Sequence, residues 1–457
     1  MSVTHFIGIG GTGISAIARV LLERGETVTG SDRQDSPLAE MLRQVGVRIA
    51  IGHAAENVNG AERVIRSSAV PDDNVEVQAA RAKGIPVLKR ADFLQDLLSE
   101  QDTIAIAGSH GKTTTTGMVA WMLSALDQDP GYIIGSVAPN LGGNAAAGAG
   151  RYFVIEADEY DYMFHGLHPA LALVTNVEHD HPDFFKTPQD FVAAFQGFVD
   201  RVKDDGALIV CVDDPGAASL GEYARSRGIR VVSYGFTAGA EYSAVGLEAG
   251  ERGFNASVVK GQAELAQLHL QVPGAHNAQN ALGALVVADQ LGLNVAKAAL
   301  ALDSFQGTGR RFELRGAAAG VLVVDDYAHH PTEIRAVLAA ARSQFPERRV
   351  WAVWQPHTYS RTLTLLDDFG AAFGDAGRVV VLPVYAAREQ APDGFEYDQV
   401  LHAVQHEHVH GMADFDDALQ LFADELDEGD LVLIMSAGDA IHLSERLFAQ
   451  LEVKEQA

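Results

Sequence analysis

The sequence predicts an α/β protein with three domains, each built around a parallel sheet. Three observations support this fold class. The 457 residues are enough for about three domains of roughly 100–200 residues each. Short β-branched runs alternate with helical patterns, which is typical of βαβ units. Three such blocks each begin at a glycine or a charged loop. We expect domain boundaries at 1–100, 101–311 and 312–457.

The first block carries a glycine-rich turn between its first strand and its first helix. Its strands are predicted at 3–10, 27–32, 63–70 and 85–90, and its first helix at 15–25. The turn reads Gly8-Ile9-Gly10-Gly11-Thr12-Gly13, and Asp32 ends the second strand. This is the G-x-G-x-x-G pattern of a Rossmann-like domain, in which a helix N-terminus receives a pyrophosphate. The pattern fits either NAD or the pyrophosphate of a UDP-sugar.

The second block opens with the most informative motif of the chain. An apolar strand leads into Gly108-Ser109-His110-Gly111-Lys112-Thr113-Thr114, and a helix follows. Glycines let backbone N–H groups wrap a phosphate chain, and the helix N-terminus adds partial positive charge. Lys112 can reach the β- and γ-phosphates, and the Thr113 hydroxyl can bind Mg²⁺. Two residues separate Gly108 from Gly111, whereas the common P-loop has about four there.

Carboxylates and histidines follow later strands of the same block. Those strands are predicted at 151–158, 170–177, 206–212 and 230–235, with β-hairpins at 240–272. Glu156 follows the first of them, and His181 follows the second. Strand ends beside a phosphate loop are natural places for divalent cations. We therefore expect Glu156 and His181 to be metal ligands, with His179 and Asp180 as weaker candidates.

A long helix is predicted to follow this region, and polar side chains stand at its start. His276, Asn277 and Asn280 are residue types that cap helices, but they could equally hydrogen-bond to a purine edge. The sequence leaves both interpretations open. The Gly- and Arg-rich segment 306–316 is expected to be a joint between domains.

The third block again places polar residues after apolar strands. Strand–helix segments are predicted within 320–342, 348–362, 377–385 and 430–440. Asp326, Tyr327 and His329 follow the first strand, and Arg361 follows the second. Open α/β sheets bind ligands at such strand ends. Arg361 could clamp a carboxylate or form a surface ion pair.

The composition narrows the class of partner. Asp and Glu number 61 and Lys and Arg number 34, which gives a net charge of −27. This charge repels nucleic acid and anionic lipid, so we expect neither as a partner. The single cysteine, Cys211, excludes an internal disulfide and fits a reducing compartment. The first residues do not resemble a signal peptide, and no long apolar run occurs, so we expect a cytoplasmic location.

Together, these motifs resemble the Mur ligase family, whose members build the peptide of peptidoglycan in ATP-dependent reactions. The resemblance is collinear from Gly8 to about Asp439 and covers nearly the whole chain. It rests on the stretches GIGGTGISAIARVL, AGSHGKTTTT, TNVEHDHPDFF, DDYAHHPTEI, QPHTYSRT and SAGDA. Within the family, DDYAHHPTE and QPHTYSRT fit the alanine-adding branch better than the branch that attaches a tripeptide.

The resemblance implies a role for each domain. The Rossmann-like first domain would bind UDP-N-acetylmuramate through Gly10, Gly11, Thr12, Gly13, Asp32, Ser67 and Ser68. The second, a P-loop-type ATPase domain, would bind ATP through Gly108–Thr114, with the adenine at His276, Asn277 and Asn280. Thr113 and Glu156 would hold one Mg²⁺, and His181 a second.

The Rossmann-like third domain would close over this site. The resemblance implies that it brings Arg311 and Asp326 to the nucleotide, and Tyr327, His329 and Arg361 to the amino-acid pocket. The implied catalytic residues are Lys112, Glu156, His181, His329 and Arg361. Some sister ligases carry a carbamoylated lysine after the metal histidine, but residues 187–202 contain no lysine. We therefore expect that device to be absent.

The implied reaction joins L-alanine to the lactyl carboxylate of UDP-N-acetylmuramate. The carboxylate would attack the γ-phosphate of ATP, and the amine would then attack the resulting acyl phosphate. Domain closure near 306–316 would exclude water in between, which predicts that ATP binds first and alanine last. The expected partners are these three small molecules, and the chain is expected to be a monomer or a homodimer.

Three alternatives remain open at this point. The nearest is a recycling ligase that attaches a whole tripeptide to the same UDP-sugar. A NAD-dependent oxidoreductase built on Gly8–Gly13 would leave Lys112 and the metal carboxylates without a purpose. A non-catalytic nucleotide sensor is disfavoured, because Lys112, Thr113, Glu156 and His181 are all present.

Overall fold

Three sheets follow one another along the chain, and each is flanked by helices. A computed structural model describes residues 3–250 and 252–456. The sheets contain five, ten and six strands, and each lies within one predicted domain. The three-domain α/β fold expected from the sequence is therefore confirmed. The boundaries 1–100, 101–311 and 312–457 stay predictions.

The N-terminal sheet is parallel throughout and has the strand order β3-β2-β1-β4-β5. Its strands are β1 Val3–Ile7, β2 Thr27–Asp32, β3 Arg48–Ile51, β4 Arg63–Arg66 and β5 Val87–Lys89. Its helices are α1 Thr12–Glu23, α2 Pro37–Gln44, α3 Val75–Ala82 and α4 Arg90–Leu97, with a 3-10 helix at Ala55–Val58. The glycine turn leads from β1 into α1, as the sequence predicts.

The central sheet is mixed. Its strands are β6 Asp102–Ala107, β7 Gly131–Ala138, β8 Gly143–Ala146, β9 Tyr152–Glu156, β10 Leu171–Val174, β11 Ala207–Cys211, β12 Arg230–Gly235, β13 Tyr242–Ala249, β14 Phe254–Lys260 and β15 Ala263–Leu270. Their order is β15-β14-β13-β12-β11-β10-β6-β9-β7-β8. The edge pairs β7–β8, β13–β14 and β14–β15 are antiparallel, and the remaining pairs are parallel. The hairpins predicted at 240–272 are confirmed.

The central helices are α5 Lys112–Ala125, α6 Pro188–Val199, α7 Pro215–Ser226, α8 Ala275–Gln290 and α9 Val295–Leu302, with 3-10 helices at Pro139–Leu141 and Tyr160–Gly166. They cover both faces of the sheet. Ile104 and Ile106 of β6 pack into one hydrophobic cluster, and Ala105 and Ala107 pack into another. This burial on both sides explains why the strand reads as a continuous apolar run.

The C-terminal sheet has the strand order β16-β17-β21-β18-β19-β20. Its strands are β16 Glu313–Ala318, β17 Val321–Asp326, β18 Arg349–Trp354, β19 Arg378–Val381, β20 Val409–Gly411 and β21 Asp430–Met435. Its helices are α10 Pro331–Gln344, α11 Tyr359–Thr364, α12 Leu366–Gly370, α13 Tyr397–Ala403, α14 Phe415–Glu425 and α15 Ile441–Gln456. Only the edge strand β16 is antiparallel to its neighbour.

The predicted joint at 306–316 is partly regular structure. Its second half starts β16, which pairs with β17. Its first half lies against β7, where Gly309 N donates to Val137 O and Ser136 Oγ donates to Gly309 O, both at 2.8 Å. Arg310 and Phe312 have φ of 58° and 49°, a region that non-glycine residues seldom adopt. The chain therefore turns sharply between the two domains.

Strands β3, β7, β8, β16 and β20 were not singled out from the sequence. They are short, or they carry glycines and polar residues that hide the apolar pattern, as in β7 and β16. Their pairing with longer neighbours fixes them instead. Among the residues that the structure describes, no helix combines the length and apolar character needed to cross a bilayer.

Candidate active site

A cavity of about 490 Å³ lies where the three domains meet. Its wall includes Thr12 of the N-terminal domain, Lys112 and Glu156 of the central domain, and His329 and Arg361 of the C-terminal domain. Each of these residues lies at or just after the carboxyl end of a strand, or at the start of the helix that follows. Open α/β sheets bind ligands at such positions. The three sheets therefore present their ligand-binding edges to one shared space.

The phosphate loop, residues 108–114, depends on two glycines for its shape. Gly108 and Gly111 have φ of 137° and 79°, which only glycine adopts easily. A Cβ at Gly108 would overlap the hydroxyl of Thr175, and a Cβ at Gly111 would lie 2.8 Å from Asn280 Oδ1. The backbone can therefore run close to its neighbours before helix α5 begins. A glycine loop that leads into a helix N-terminus is suited to phosphate.

Side chains after strand β10 hold this loop in place. Asn176 Oδ1 accepts a hydrogen bond from His110 N at 2.8 Å, and Asn176 Nδ2 donates to His110 O at 3.2 Å. The Thr175 hydroxyl also donates to His110 O, at 2.6 Å. Ser109 Oγ donates to Glu178 O at 2.6 Å. The loop is thus fixed to the neighbouring strand rather than held by its own sequence alone.

Lys112 lies at the centre of the cavity wall. Its Nζ donates to Gly108 O at 2.5 Å and to Ser109 O at 3.1 Å, and it lies 3.0 Å from Glu159 Oε2. Burial would lower the pKa of Lys112, but Glu159 and Glu156 outweigh it and raise the pKa. The ammonium therefore keeps its charge, and a phosphate would have to compete with two carbonyls and one carboxylate for it.

Thr113 and Glu156 face each other beside Lys112. Thr113 Oγ1 donates to Glu156 Oε1 at 3.1 Å, and Gly135 N donates to Glu156 Oε2 at 2.7 Å. Burial raises the pKa of Glu156 despite Lys112 nearby. The raised pKa means that the positive charge around Glu156 does not fully stabilise its carboxylate. The Thr113 hydroxyl beside it offers a second oxygen ligand. This pair is suited to a hard divalent cation.

His181 completes the central part of the site. Its Nε2 lies 3.4 Å from Glu159 Oε1, and its backbone has a φ of 54°. Burial would lower the pKa of His181, but Asp180 and Glu159 raise it. Glu159 is 1% exposed, and its Oε2 has no hydrogen-bond partner of good geometry. An imidazole nitrogen and a buried carboxylate oxygen thus lie close enough to bind the same small cation.

Asp180 and Arg361 form a buried ion pair between the central and C-terminal domains. Arg361 Nε donates to Asp180 Oδ1 at 2.8 Å, and each residue is 2% exposed. Arg361 Nη1 also donates to His357 Nδ1 at 2.9 Å, and Nη2 donates to His181 Nδ1 at 3.4 Å. The guanidinium is therefore largely committed within the chain. Any carboxylate that it binds must share it with Asp180.

Tyr327 and His329 bring the C-terminal domain to the cavity wall. His329 Nδ1 donates to Tyr327 O at 2.8 Å. Burial lowers the pKa of His329 to about 3, so the imidazole is neutral at physiological pH. Because its proton lies on Nδ1, Nε2 is left as a hydrogen-bond acceptor. Arg311 lies over the Tyr327 ring, 5.2 Å from its centroid.

A second cavity of about 260 Å³ adjoins the first and shares Gly111, Arg311 and Glu333 with it. Its wall contains Thr114, His276, Asn277, Asn280 and Asp326. Burial raises the pKa of Asp326 to about 6, although Phe312 N and Ala328 N each donate to this carboxylate at 2.7 Å. The two cavities together form one elongated space with the phosphate loop in the middle.

The polar residues at the start of α8 use part of their hydrogen-bonding capacity within the chain, and only the rest is available to a purine base. Asn277 Nδ2 donates to Pro273 O at 2.6 Å, and Asn280 Nδ2 donates to Asn277 Oδ1 at 3.2 Å. His276 is neutral, because burial lowers its pKa to about 4. Gln279 Nε2 donates to Asp213 Oδ2 at 2.6 Å in the same wall. The sequence analysis did not include Gln279 or Asp213.

The N-terminal glycine turn lies at the other end of the main cavity. Asp32 Oδ2 accepts a hydrogen bond from Gly10 N at 2.8 Å, so the acid braces the turn. A Cβ at Gly10 would lie 2.6 Å from Ser36 Oγ. Thr12 and Gly13 line the cavity, whereas the walls of both cavities do not include the other predicted residues of this domain, which are Gly10, Gly11, Asp32, Ser67 and Ser68.

Several residues of the site escaped the sequence analysis. Asn176 lies within a stretch quoted for the resemblance, Glu159 directly follows the predicted strand at 151–158, and Asp180 was named as a candidate ranked below His181. A signal existed for each, because they stand beside predicted ligands at strand ends. Their roles come from contacts with residues distant in sequence, such as Asp180 with Arg361. His179, in contrast, bonds to Phe185 O at 3.0 Å within its own domain.

Comparison with known families finds three matches in succession. Residues 3–102 match the model described as Mur ligase family, catalytic domain. Residues 106–288 match the Mur ligase middle domain, and residues 310–438 match the Mur ligase, glutamate ligase domain. These matches follow the three sheets along the chain.

Curated relatives are similar over most of the chain. A UDP-N-acetylmuramate–L-alanine ligase of Frankia casuarinae is 41% identical over 98% of this chain and 97% of its own length. A protein of the same name from an Arthrobacter species is 46% identical over 85% of this chain and 83% of its own length.

Solved structures are similar over the whole chain. A UDP-N-acetylmuramate-alanine ligase from Thermotoga maritima has a TM-score of 0.84 and 28% identity, and the match covers 99% of this chain and 100% of that one. A murein peptide ligase from Psychrobacter arcticus has a TM-score of 0.72 and 27% identity, with 99% of each chain covered.

Proposed function

The chain belongs to the Mur ligase family, and we propose that it joins L-alanine to the lactyl carboxylate of UDP-N-acetylmuramate at the expense of ATP. The observation that carries this proposal is the shared cavity between the three domains. A phosphate loop, carboxylates suited to cations and a neutral imidazole all line it. The names of the curated relatives support the same activity.

The elongated space accommodates three ligands in a line. ATP would lie in the second cavity, with its base near His276 and its phosphates on the loop that ends at Lys112. The UDP-sugar would enter from the N-terminal domain past Thr12 and Gly13. The amino acid would lie near His329 and Arg361. This order places the lactyl carboxylate between the γ-phosphate and the amine.

Two groups of residues fit a divalent cation. Thr113 and Glu156 would hold one Mg²⁺, and His181 with Glu159 would hold a second. The raised pKa of Glu156 indicates a place for positive charge. A bound Mg²⁺ neutralises phosphate charge and polarises the phosphoryl group.

Lys112 and the loop would carry the first half of the reaction. Lys112 is already charged and desolvated, so the Nζ can move from the loop carbonyls to the γ-phosphate without losing its proton. The loop is braced by Asn176 and Thr175 before any ligand arrives. Such preorganisation lowers the cost of stabilising charge in the transition state.

His329 and Arg361 would carry the second half. The free Nε2 of neutral His329 can accept a hydrogen bond from the amine of alanine, which must lose a proton to become a nucleophile. A base with a pKa of about 3 holds this amine rather than fully deprotonating it. The bonds to Asp180, His357 and His181 use three of the five guanidinium N–H groups of Arg361, which leaves two for the alanine carboxylate.

The experiment is phosphate release by the purified enzyme with ATP, Mg²⁺ and UDP-N-acetylmuramate, scanned over amino acids. We expect release with L-alanine and formation of an amide in equal amounts. Glycine, L-serine and the tripeptide L-alanyl-γ-D-glutamyl-diaminopimelate serve as comparison acceptors. Faster turnover of the tripeptide would assign the chain to the recycling branch instead. Absence of both ADP and amide would refute the proposal.

A further inference from the structure

Five side chains form a contact between the phosphate loop and the C-terminal domain, and we refer to them as the interdomain latch. They are His110, Glu178, His330, Thr332 and Glu333. The first two belong to the central domain, and the last three lie at the start of helix α10. None of them was assigned this role above.

His110 lies between two carboxylates. Its Nε2 is 3.1 Å from Glu178 Oε2, and its Nδ1 is 3.4 Å from Glu333 Oε1. The His110 and His330 rings also lie 4.6 Å apart between centroids. Glu178 is in the same domain as His110, whereas Glu333 and His330 lie across the domain boundary. The imidazole therefore bridges the two domains.

Each of the two carboxylates contacts its own domain through one oxygen and the other domain through its second oxygen. Glu333 Oε2 accepts from His329 N at 3.0 Å and from His330 N at 3.3 Å, which caps helix α10, while Oε1 faces His110. Glu178 Oε2 faces His110, while Oε1 accepts from the Thr332 hydroxyl at 2.8 Å. Opening the domains would break one bond of each carboxylate.

When the domains are closed, the latch brings a positive imidazole between negative carboxylates. Burial would lower the pKa of His110, but Glu178 and Glu333 raise it to about 9. Burial lowers the pKa of His330 to about 4, so His330 is neutral. Asp180 and Arg311 also act on these residues, and Arg335 Nη2 donates to the Thr332 hydroxyl at 3.1 Å. Closure thus places one imidazolium between two carboxylates, of which Glu333 is 8% exposed and Glu178 is 39% exposed.

The backbone of His110 belongs to the phosphate loop, and this connects the latch to the nucleotide. His110 N and O are held by Asn176 and Thr175, so the direction of its side chain depends on the conformation of the loop. In its braced conformation, the loop presents the imidazole to Glu333. A displaced loop would move it away.

We propose that His110 is a positioning residue, which makes closure of the C-terminal domain depend on an ordered phosphate loop. This proposal rests on the proposed function. Its consequence is that the acyl phosphate forms only in a closed site, where water cannot hydrolyse it. The latch therefore sets how tightly ATP cleavage is coupled to amide formation.

The test measures coupling in His110→Gln, which keeps a polar side chain of similar size but removes the positive charge. The readouts are moles of phosphate released per mole of amide formed, and kcat and KM for L-alanine. We expect the equilibrium constant for domain closure to fall about tenfold, which is about 1.4 kcal/mol in free energy. The reason is that hydrogen bonds to a charged group are lost. The phosphate-to-amide ratio should rise above that of the wild type, and kcat/KM for L-alanine should fall about tenfold.

Two further variants make the result specific. His168→Gln removes an exposed histidine of the same domain and should behave as the wild type. In the double variant His110→Gln/Glu333→Gln, we expect coupling to be no worse than in the single variants, because both remove the same contact across the domain boundary. A thermal unfolding midpoint close to that of the wild type would show that each variant folds.

Three results would overturn the proposal. The first is a wild-type phosphate-to-amide ratio in folded His110→Gln. The second is loss of ATP binding itself, measured without the other substrates, because His110 would then act on the nucleotide directly. The third is stoichiometric Zn²⁺ binding that needs His110, since ligand atoms of His110, Glu178 and His330 lie within 4.8 Å of one another. Failure of the wild type to form any amide would instead refute the proposed function.

Discussion

Replacing Lys112 separates its contribution to catalysis from its contribution to stability. The ammonium is 13% exposed and lies 3.0 Å from Glu159, which is 1% exposed. Lys112→Met keeps the length of the side chain but leaves the Glu159 carboxylate without its nearest cation. Only His181, at 3.4 Å, would remain beside it. The variant therefore perturbs a buried ion pair and the phosphate site together.

The loss of stability and the loss of catalysis differ in magnitude, and different second substitutions would restore them. Breaking a buried ion pair by removing one partner costs about 3–5 kcal/mol of folding stability. Removing both charges in Lys112→Met/Glu159→Gln should recover most of that loss, because no uncompensated charge is left. Catalysis should not recover. Loss of one preorganised charge at the transition state lowers kcat by about 10²–10³-fold, or about 2.7–4 kcal/mol.

Chemical denaturation measures the stability, and ATP-dependent phosphate release measures kcat. Binding of the UDP-substrate, measured by calorimetry, should be unchanged, because its turn lies in another domain. Lys89→Met is the matched control, since this lysine is 47% exposed and pairs with Asp161 outside the cavity. If the double variant retained more than about a tenth of wild-type kcat, the assignment of Lys112 to phosphoryl transfer would be wrong.

Three further predictions concern the loop, the metal and acid stability. Gly108→Ala should weaken ATP binding at least about tenfold, because its Cβ would overlap the Thr175 hydroxyl; calorimetric titration with ATP checks this. Chelation of divalent cations should abolish phosphate release while leaving the unfolding midpoint of the ligand-free enzyme unchanged, and added Mg²⁺ should restore activity. Burial raises the pKa of Glu76, but bonds from His5, Ser31 and Asn57 outweigh it and lower the pKa from 4.5 to about 2. The wild type should therefore lose stability as pH falls through that window, and Glu76→Gln should lose less; equal slopes in denaturation series would contradict this.

Most of the fold was predictable because its signals are local. Strand β6, the phosphate loop and helix α5 follow one another within 102–125, so chemistry and periodicity agree in one short stretch. Strands β7 and β16 were not found, because glycine and polar residues interrupt their pattern and pairing with a neighbour fixes them. Local pattern thus identified the strands at the centre of each sheet better than those at the edges.

The residues of the site were also predictable where their signal is local in the sequence. Lys112, Glu156 and His181 are found from residue type and position after a strand. Glu159 was not, because its importance arises from Lys112, which lies 47 positions earlier and meets it only in the folded chain. Asp180 meets Arg361 across 181 positions. A sequence shows which residues can carry charge, but it does not show which of them are buried together.

Arg361 explains why the two halves of the reaction belong to one closed state. It bonds to Asp180 and lies 3.4 Å from His181 in the central domain, and it bonds to His357 in its own. The proposed cation site and the proposed amine site are therefore joined by one buried side chain. An open domain would expose Arg361 and Asp180 to water, separate His181 from the amino-acid pocket and release the latch at His110. Closure of the domains would thus complete both halves of the site together, which suits an acyl phosphate that must be kept from water.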